Sequence, residues 1–236
     1  MGSVTIKCCE SLNLNNIIKN DTENIFQTIN LYDEVCISRN INKQKGILIK
    51  SNVELAEETK NNIQKLIDLF LNYVSITCDS LVVDIKKNKL NLLDNDYNIL
   101  AGLLMGLNIY FKIYLPSHEL IYLSKKIDEL IAYYLICGYK KIDVNHRNYN
   151  IGENIYSKYF LFDNINSEEL LKVEEFVSKN NLSYDESNKY PFLAVNYDFS
   201  FNALVSLKKE VEGIKIYDFK NTNENKILVK YSNYFE

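Results

Sequence analysis

The residues best placed to do chemistry form the segment Leu92-Leu93-Asp94-Asn95-Asp96-Tyr97-Asn98, which leads into a long apolar run from Ile99 to Phe111. Asn95 or Asp96 suits the N-cap of a helix there, because a short side-chain oxygen can accept from the free amides of the first turn. The N-terminus of such a helix is the positive end of its dipole and a common place for anions. Wrapping backbone amides around a phosphate calls for glycine, and this segment contains none. The other reactive residue types carry little pattern. Cys8, Cys9, Cys36, Cys78 and Cys137 are odd in number and scattered through apolar stretches, as small buried hydrophobes of a reducing compartment would be. Adjacent Cys8 and Cys9 point to opposite faces of a strand, and neither CxxC nor HxxxH spacing occurs, so no metal site is expected from cysteine or histidine. His118 follows Pro116 and Ser117 at a helix start and reads as a solvated first-turn residue, and His146 has no ligand spacing around it. The basic cluster KKNK, Lys86 to Lys89, reads as a solvated loop between a strand and a helix.

The elements that must position this segment follow from periodicity. Leu81, Val82, Val83 and Ile85 read as a short buried strand before it. The run from Ile99 to Phe111 is apolar almost all round, which predicts a central helix covered on several sides, with two further helical segments ending at Gly138. Upstream, Val4 to Cys9, Phe26 to Ile37 (interrupted near Asn30) and Gly46 to Ile49 are expected strands of a mixed or antiparallel sheet. Between Val53 and Val74, Leu55, Ile63, Leu66, Ile67, Phe70, Leu71 and Val74 recur at three- and four-residue steps, an amphipathic helix covering that sheet. Downstream, strands are expected over Tyr139 to Asn145 and Ile155 to Phe162, with the IGEN turn between them. A helix capped by Ser167 follows, then a strand from Phe192 to Tyr197, a helix from Phe201 to Val211 ending at Gly213, and strands Ile214 to Phe219 and Ile227 to Tyr231. That order suggests a ferredoxin-like split βαβ lobe.

Composition sets the outer bounds. At 236 residues and 47% hydrophobic, the chain can bury a substantial core. A formal charge of -4 with two arginines, Arg39 and Arg147, argues against a nucleic-acid surface, which needs clustered cations. No apolar run is long enough to span a membrane and no basic-then-apolar leader opens the chain, so a cytoplasmic protein is expected. Met1-Gly2-Ser3-Val4-Thr5-Ile6 misses the myristoylation pattern at its sixth position.

Several strings, in their order and spacing, resemble the GHMP small-molecule kinases, in particular the L-threonine kinases of cobalamin synthesis and the 4-diphosphocytidyl-2-C-methyl-D-erythritol kinases. They are ESLNLNN, FQTINLYDEVCI, ILAGLLMGLNIYF followed by LPSHELIYLSKKI, and NIGEN. The resemblance covers Val4 to Glu153, and the rest of the chain by element order alone. It implies a two-lobed α+β fold: residues 1–153 as an N-terminal lobe built on the central helix, and residues 154–236 as a C-terminal ferredoxin-like βαββαβ lobe. It also implies ATP and magnesium in an active member. A glycine- and serine-rich loop of the family aligns with Leu92 to Ile99, which places Asp94, Asn95 and Asp96 at the phosphate-loop position. Two carboxylates there would repel a polyphosphate; they would either hold a divalent metal that bridges to phosphate or serve as turn and cap residues. The family's catalytic aspartate matches Asp128 if about three residues are inserted before Gly138, and a solvated helix charge is the other reading of that residue. The lysine of the first motif falls on Ser11, and the glycine-rich third motif falls near Ser183 to Phe192, which has no glycine. The resemblance therefore implies a binding or regulatory pseudokinase without cofactor, taking a small ligand or a protein partner. One alternative is an active small-alcohol kinase using ATP and magnesium, with Asp94 or Asp96 on the metal and Asp128 as base. The other is an unrelated α+β interaction protein.

Overall fold

A computed structural model describes residues 2–18, 26–40, 45–90, 92, 96–137, 156, 158–163, 165–186, 190–195, 201–211, 215–220 and 229–232. The elements run β1 (Ser3–Asn13), α1 (Asn15–Ile18), β2 (Phe26–Ser38), β3 (Gly46–Ser51), α2 (Glu57–Tyr73), β4 (Ser80–Lys86), α3 (Tyr97–Tyr110), α4 (Ser117–Lys125) and α5 (Glu129–Cys137). After them come β5 (Lys158–Asp163), α6 (Ser167–Asn180), β6 (Ser183–Asp185), β7 (Phe192–Val195), α7 (Phe201–Glu210), β8 (Lys215–Lys220) and β9 (Val229–Ser232). Two compact units divide the chain: Met1–Glu10, Leu31–Gly138 and Glu224–Glu236 form one, Ser11–Asn30 and Tyr139–Asn223 the other. The expected boundary between residues 153 and 154, the strand expected over 139–145, the IGEN turn, His146, Gly138 and Gly213 lie outside the described residues.

The first unit is built on a sheet of order β3-β4-β2-β1-β9, with β3 parallel to β4 and the β2–β4 and β1–β9 pairs antiparallel. Alternate residues of each strand share a face. Val4, Ile6 and Cys8 of β1, Val35 and Ile37 of β2, and Leu81, Val83 and Ile85 of β4 are accordingly buried in one core. The central helix α3 belongs to the same core through Leu100, Leu103, Leu104 and Leu107, as its all-round apolar sequence predicts. Two glycines four residues apart allow its close approach. A Cβ on Gly102 would lie 2.1 Å from Cys8 Sγ, and one on Gly106 would lie 2.6 Å from Ile37 Cδ1. Helix α2 contributes Ile63, Leu66, Ile67 and Phe70, and α4 and α5 contribute Leu120, Leu123 and Ile131. Strand β2 runs unbroken through Asn30, where an interruption was expected.

The second unit has the order β5-α6-β6-β7-α7-β8 and a sheet ordered β6-β7-β5-β8, each described pair antiparallel. This is the ferredoxin-like βαββαβ arrangement expected of the C-terminal lobe. Its membership differs from the sequence reading in two places. The strand expected at Ile227 to Tyr231 is β9, which pairs with β1 in the first sheet, Ser3 opposite Ser232 and Ile6 opposite Val229. The fourth strand of the second sheet is instead β6, three residues long and too short to leave a periodic signal. The cap of α6 is Asn166 rather than Ser167: its Oδ1 accepts from the backbone of Glu168 and Glu169, and the Glu169 side chain accepts from the Asn166 amide in return. Such a reciprocal box satisfies amides that the first turn leaves free. Phe160, Phe162, Val173, Phe176, Leu193, Val195 and Leu207 make this unit's core beneath α6 and α7.

Candidate functional site

The N-terminal end of α3 is where the sequence places its candidate chemistry, and the first unit assembles a polar cluster there. Asp96 is the N-cap residue of α3, but its side chain makes no capping hydrogen bond, contrary to the reading from sequence. It turns instead toward α2 and the segment after β4. Lys87 Nζ meets Asp96 Oδ1 at 2.5 Å, and Thr59 Oγ1 in the first turn of α2 donates to Asp96 Oδ2 at 2.7 Å. Both charged side chains are 5% exposed, so this is a buried ion pair. Lys87 had read as one of four solvated loop residues; Lys86 and Lys89 are exposed as expected, and Lys87 is not. Its backbone is fixed by Asn52, whose side-chain amide donates to the Lys87 carbonyl at 2.9 Å and accepts from the Lys87 amide at 2.8 Å.

Beside the ion pair lies a cavity of about 340 Å³ lined by residues 52–56, Lys87, Asn88, Lys89 and Asp96. Asn88 connects that lining to a second buried group. Its amide nitrogen donates to Glu10 Oε1 at 2.9 Å and to Asp33 Oδ1 at 2.7 Å, and its backbone N–H donates to the same Asp33 oxygen at 2.7 Å. Asn98 in the first turn of α3 donates to Asp33 Oδ2 at 3.1 Å. Glu10 and Asp33 were not singled out from the sequence. A signal was available, since Glu10 shares the strand parity of Ile6 and Cys8, and Asp33 that of Val35 and Ile37.

Asp128 sits at the start of α5, where its Oδ1 accepts from the Leu130 amide at 2.7 Å. Its other oxygen accepts from the Tyr97 hydroxyl at 3.3 Å, so it stands against the first turn of α3 without lining the cavity. Burial first, and then the Asp128 carboxylate, raise the Tyr97 phenol above its ordinary range. Asp94 and Asn95 lie outside the described residues, as does Leu93; Leu92 is half-buried. Ser11, at the position of the first motif's lysine, is buried. Among the described residues no three His, Cys, Asp or Glu side chains gather as a metal-binding group, and no helix is long and apolar enough to cross a membrane. His118 is solvated, and Cys8, Cys9, Cys36 and Cys78 are not joined in disulfides.

No family model and no curated protein sequence matches the chain. Solved structures do. Mevalonate diphosphate decarboxylase from Staphylococcus aureus superposes with a TM-score of 0.67 at 11% identity, covering 98% of each chain. Homoserine kinase from Cytophaga hutchinsonii gives 0.59 at 12% identity, again covering 98% of each chain. Mevalonate kinase from Methanococcus jannaschii gives 0.58 at 12% identity over 94% of this chain and 98% of its own. Together with the central helix and the ferredoxin-like second sheet, these likenesses show that the chain has the α+β fold of the GHMP kinase superfamily.

Proposed function

We propose that this chain uses the GHMP-kinase fold to bind a small ligand or a protein partner and does not transfer phosphate from ATP. The observation that carries this reading is the buried Lys87–Asp96 pair with its Thr59 hydrogen bond at the N-terminus of α3. In an active member the polyphosphate would lie against that terminus, drawn by free amides and by the helix dipole. Here the Asp96 carboxylate stands beside that terminus, and the cation that would favour a phosphate is already engaged with it. The pair is neutral as a whole and offers a phosphate no net attraction. The Asp96 carboxylate taken alone would set against a phosphate charge about 4 Å away a repulsion of about 4 kcal/mol at the effective dielectric of a partly buried site. Detaching Lys87 to offset it would strand Asp96 as an uncompensated buried charge. The residues described at this terminus therefore fit a triphosphate poorly. The neighbouring cavity offers a small ligand room without disturbing the pair.

Incubation with ATP, magnesium and a panel of small alcohols tests this reading. The protein is expected to release no ADP above the blank. ADP formation that Asp128→Asn abolishes would overturn it and make the chain an ATP- and magnesium-dependent small-molecule kinase with Asp128 as base.

A further inference from the structure

Glu10 and Asp33 are 1% and 0% exposed, and both carboxylates accept from the one Asn88 side-chain nitrogen, at 2.9 and 2.7 Å, which sets them side by side. The donors around them are unequally shared. Asp33 accepts three N–H groups: the backbone and side chain of Asn88 and the side chain of Asn98. Among the described residues Glu10 accepts one, from Asn88, and its Oε2 is buried with no hydrogen-bond partner. Two ionised carboxylates in contact and away from water would repel strongly. Lys87, the cation that acts on Glu10 among the described residues, is committed to Asp96. A single proton resolves the conflict, and the donors decide where it sits. Asp33 already accepts from three N–H groups, whereas the buried Oε2 of Glu10 has no donor to accept from among the described residues and can carry the proton itself.

We propose that Glu10 keeps its proton at neutral pH, and that this proton latches the turn at Asn88, where residues 87–89 line the cavity, so that its loss loosens that lining. The latch is independent of whether the cavity takes a nucleotide. Glu10 is faced by Asp33 from β2, by Asn88 and Lys87 from the segment after β4, and by Cys8 from its own strand. Burial first, and then the charge of Asp33, push the Glu10 carboxyl well above its ordinary value of 4.5; burial first, and then Asp33, push the Cys8 thiol up in the same way. Losing the Glu10 proton sets two buried negative charges side by side, and because both carboxylates hold the one Asn88 side-chain nitrogen, driving them apart breaks one of its two hydrogen bonds. Asn88 Oδ1 also accepts from Leu90 N at 2.9 Å, so displacing Asn88 undoes the turn it closes. Asn52, which also lines the cavity, holds both the carbonyl and the amide of Lys87, so loosening the turn reaches a second part of the lining.

The sign follows from linkage. The folded state keeps a proton that the unfolded chain releases near 4.5, so the stability contributed by Glu10 is complete below that value and is lost as the pH rises toward the raised one. Glu10→Gln keeps the shape and has no proton to lose. Urea titrations of wild type between about pH 5 and about pH 9 are expected to show a declining midpoint, and Glu10→Gln is expected to remove that decline. Amide exchange at Asn88 and Leu90 should accelerate beyond intrinsic base catalysis in wild type and not in the variant. Infrared spectra of the wild-type protein provide a readout that needs no folded variant: a protonated-carboxyl stretching band at neutral pH that fades as the pH is raised. The same pH slope in Glu10→Gln as in wild type, or the absence of that band from wild type, would overturn the proposal.

Discussion

Replacing Asp96 by Asn separates two roles for this residue. If Asp96 only capped α3, Asn would serve as well, and the change would be nearly neutral. The structure gives it a different role: both members of the Lys87–Asp96 pair are 5% exposed, and the carboxylate also takes the Thr59 hydroxyl at 2.7 Å. Asp96→Asn leaves the Lys87 ammonium buried against a neutral amide, and breaking one partner of a buried pair costs about 3–5 kcal/mol. Lys87→Met makes the converse break and strands the carboxylate with Thr59 alone. Because each single change leaves an uncompensated charge, the double variant should recover much of the loss, giving a coupling above about 1 kcal/mol in a double-mutant cycle. Urea unfolding at neutral pH, with midpoints compared at constant slope, measures all four proteins. A loss below about 1 kcal/mol for Asp96→Asn, or strictly additive single losses, would refute the reasoning and return Asp96 to a capping role.

Other changes probe the frame around the site. Leu104→Ala, at a fully buried position of α3, should lose about 2–5 kcal/mol in the same titration. Gly102→Ala drives a Cβ to within 2.1 Å of Cys8 Sγ and should lose about 1–3 kcal/mol, part of which Cys8→Ala should restore; full stability of the single variant would show that the helix does not depend on this close approach. Asn166→Ala removes both acceptor contacts of the α6 capping box and should lose about 0.5–2 kcal/mol by thermal or urea unfolding.

The sequence announced α3 clearly, because a helix apolar on every side has nowhere to go but the middle of a core. The amphipathic α2 and the buried β4 were legible for the same reason, since their periodicities record which faces leave water. What periodicity does not record is the sheet to which a strand returns. β9 carries an ordinary strand pattern, and nothing local says that it pairs with β1 rather than beside β8. The site was harder to read. Lys87 looked solvated because three of its neighbours in KKNK are polar, and its burial depends on Asp96 and Asn52, which are distant in sequence. Glu10 and Asp33 are charges on the core-facing parity of two strands, a local conflict that strand alternation exposes and that only tertiary partners resolve. Asp128 was placed by family resemblance, and the structure gives it a local task at the start of α5 that the resemblance did not suggest.

The most direct test of the account is the melting temperature of the purified chain with ATP and magnesium against magnesium alone. A ligand that binds only the folded state, present at one hundred times its Kd, adds about 2.7 kcal/mol. For a chain of this length that corresponds to an upward shift of roughly 5–10 °C. With Lys87 and Asp96 paired beside the N-terminus of α3, no shift is expected at millimolar ATP. A rise of that size would contradict it and show that the nucleotide displaces the pair.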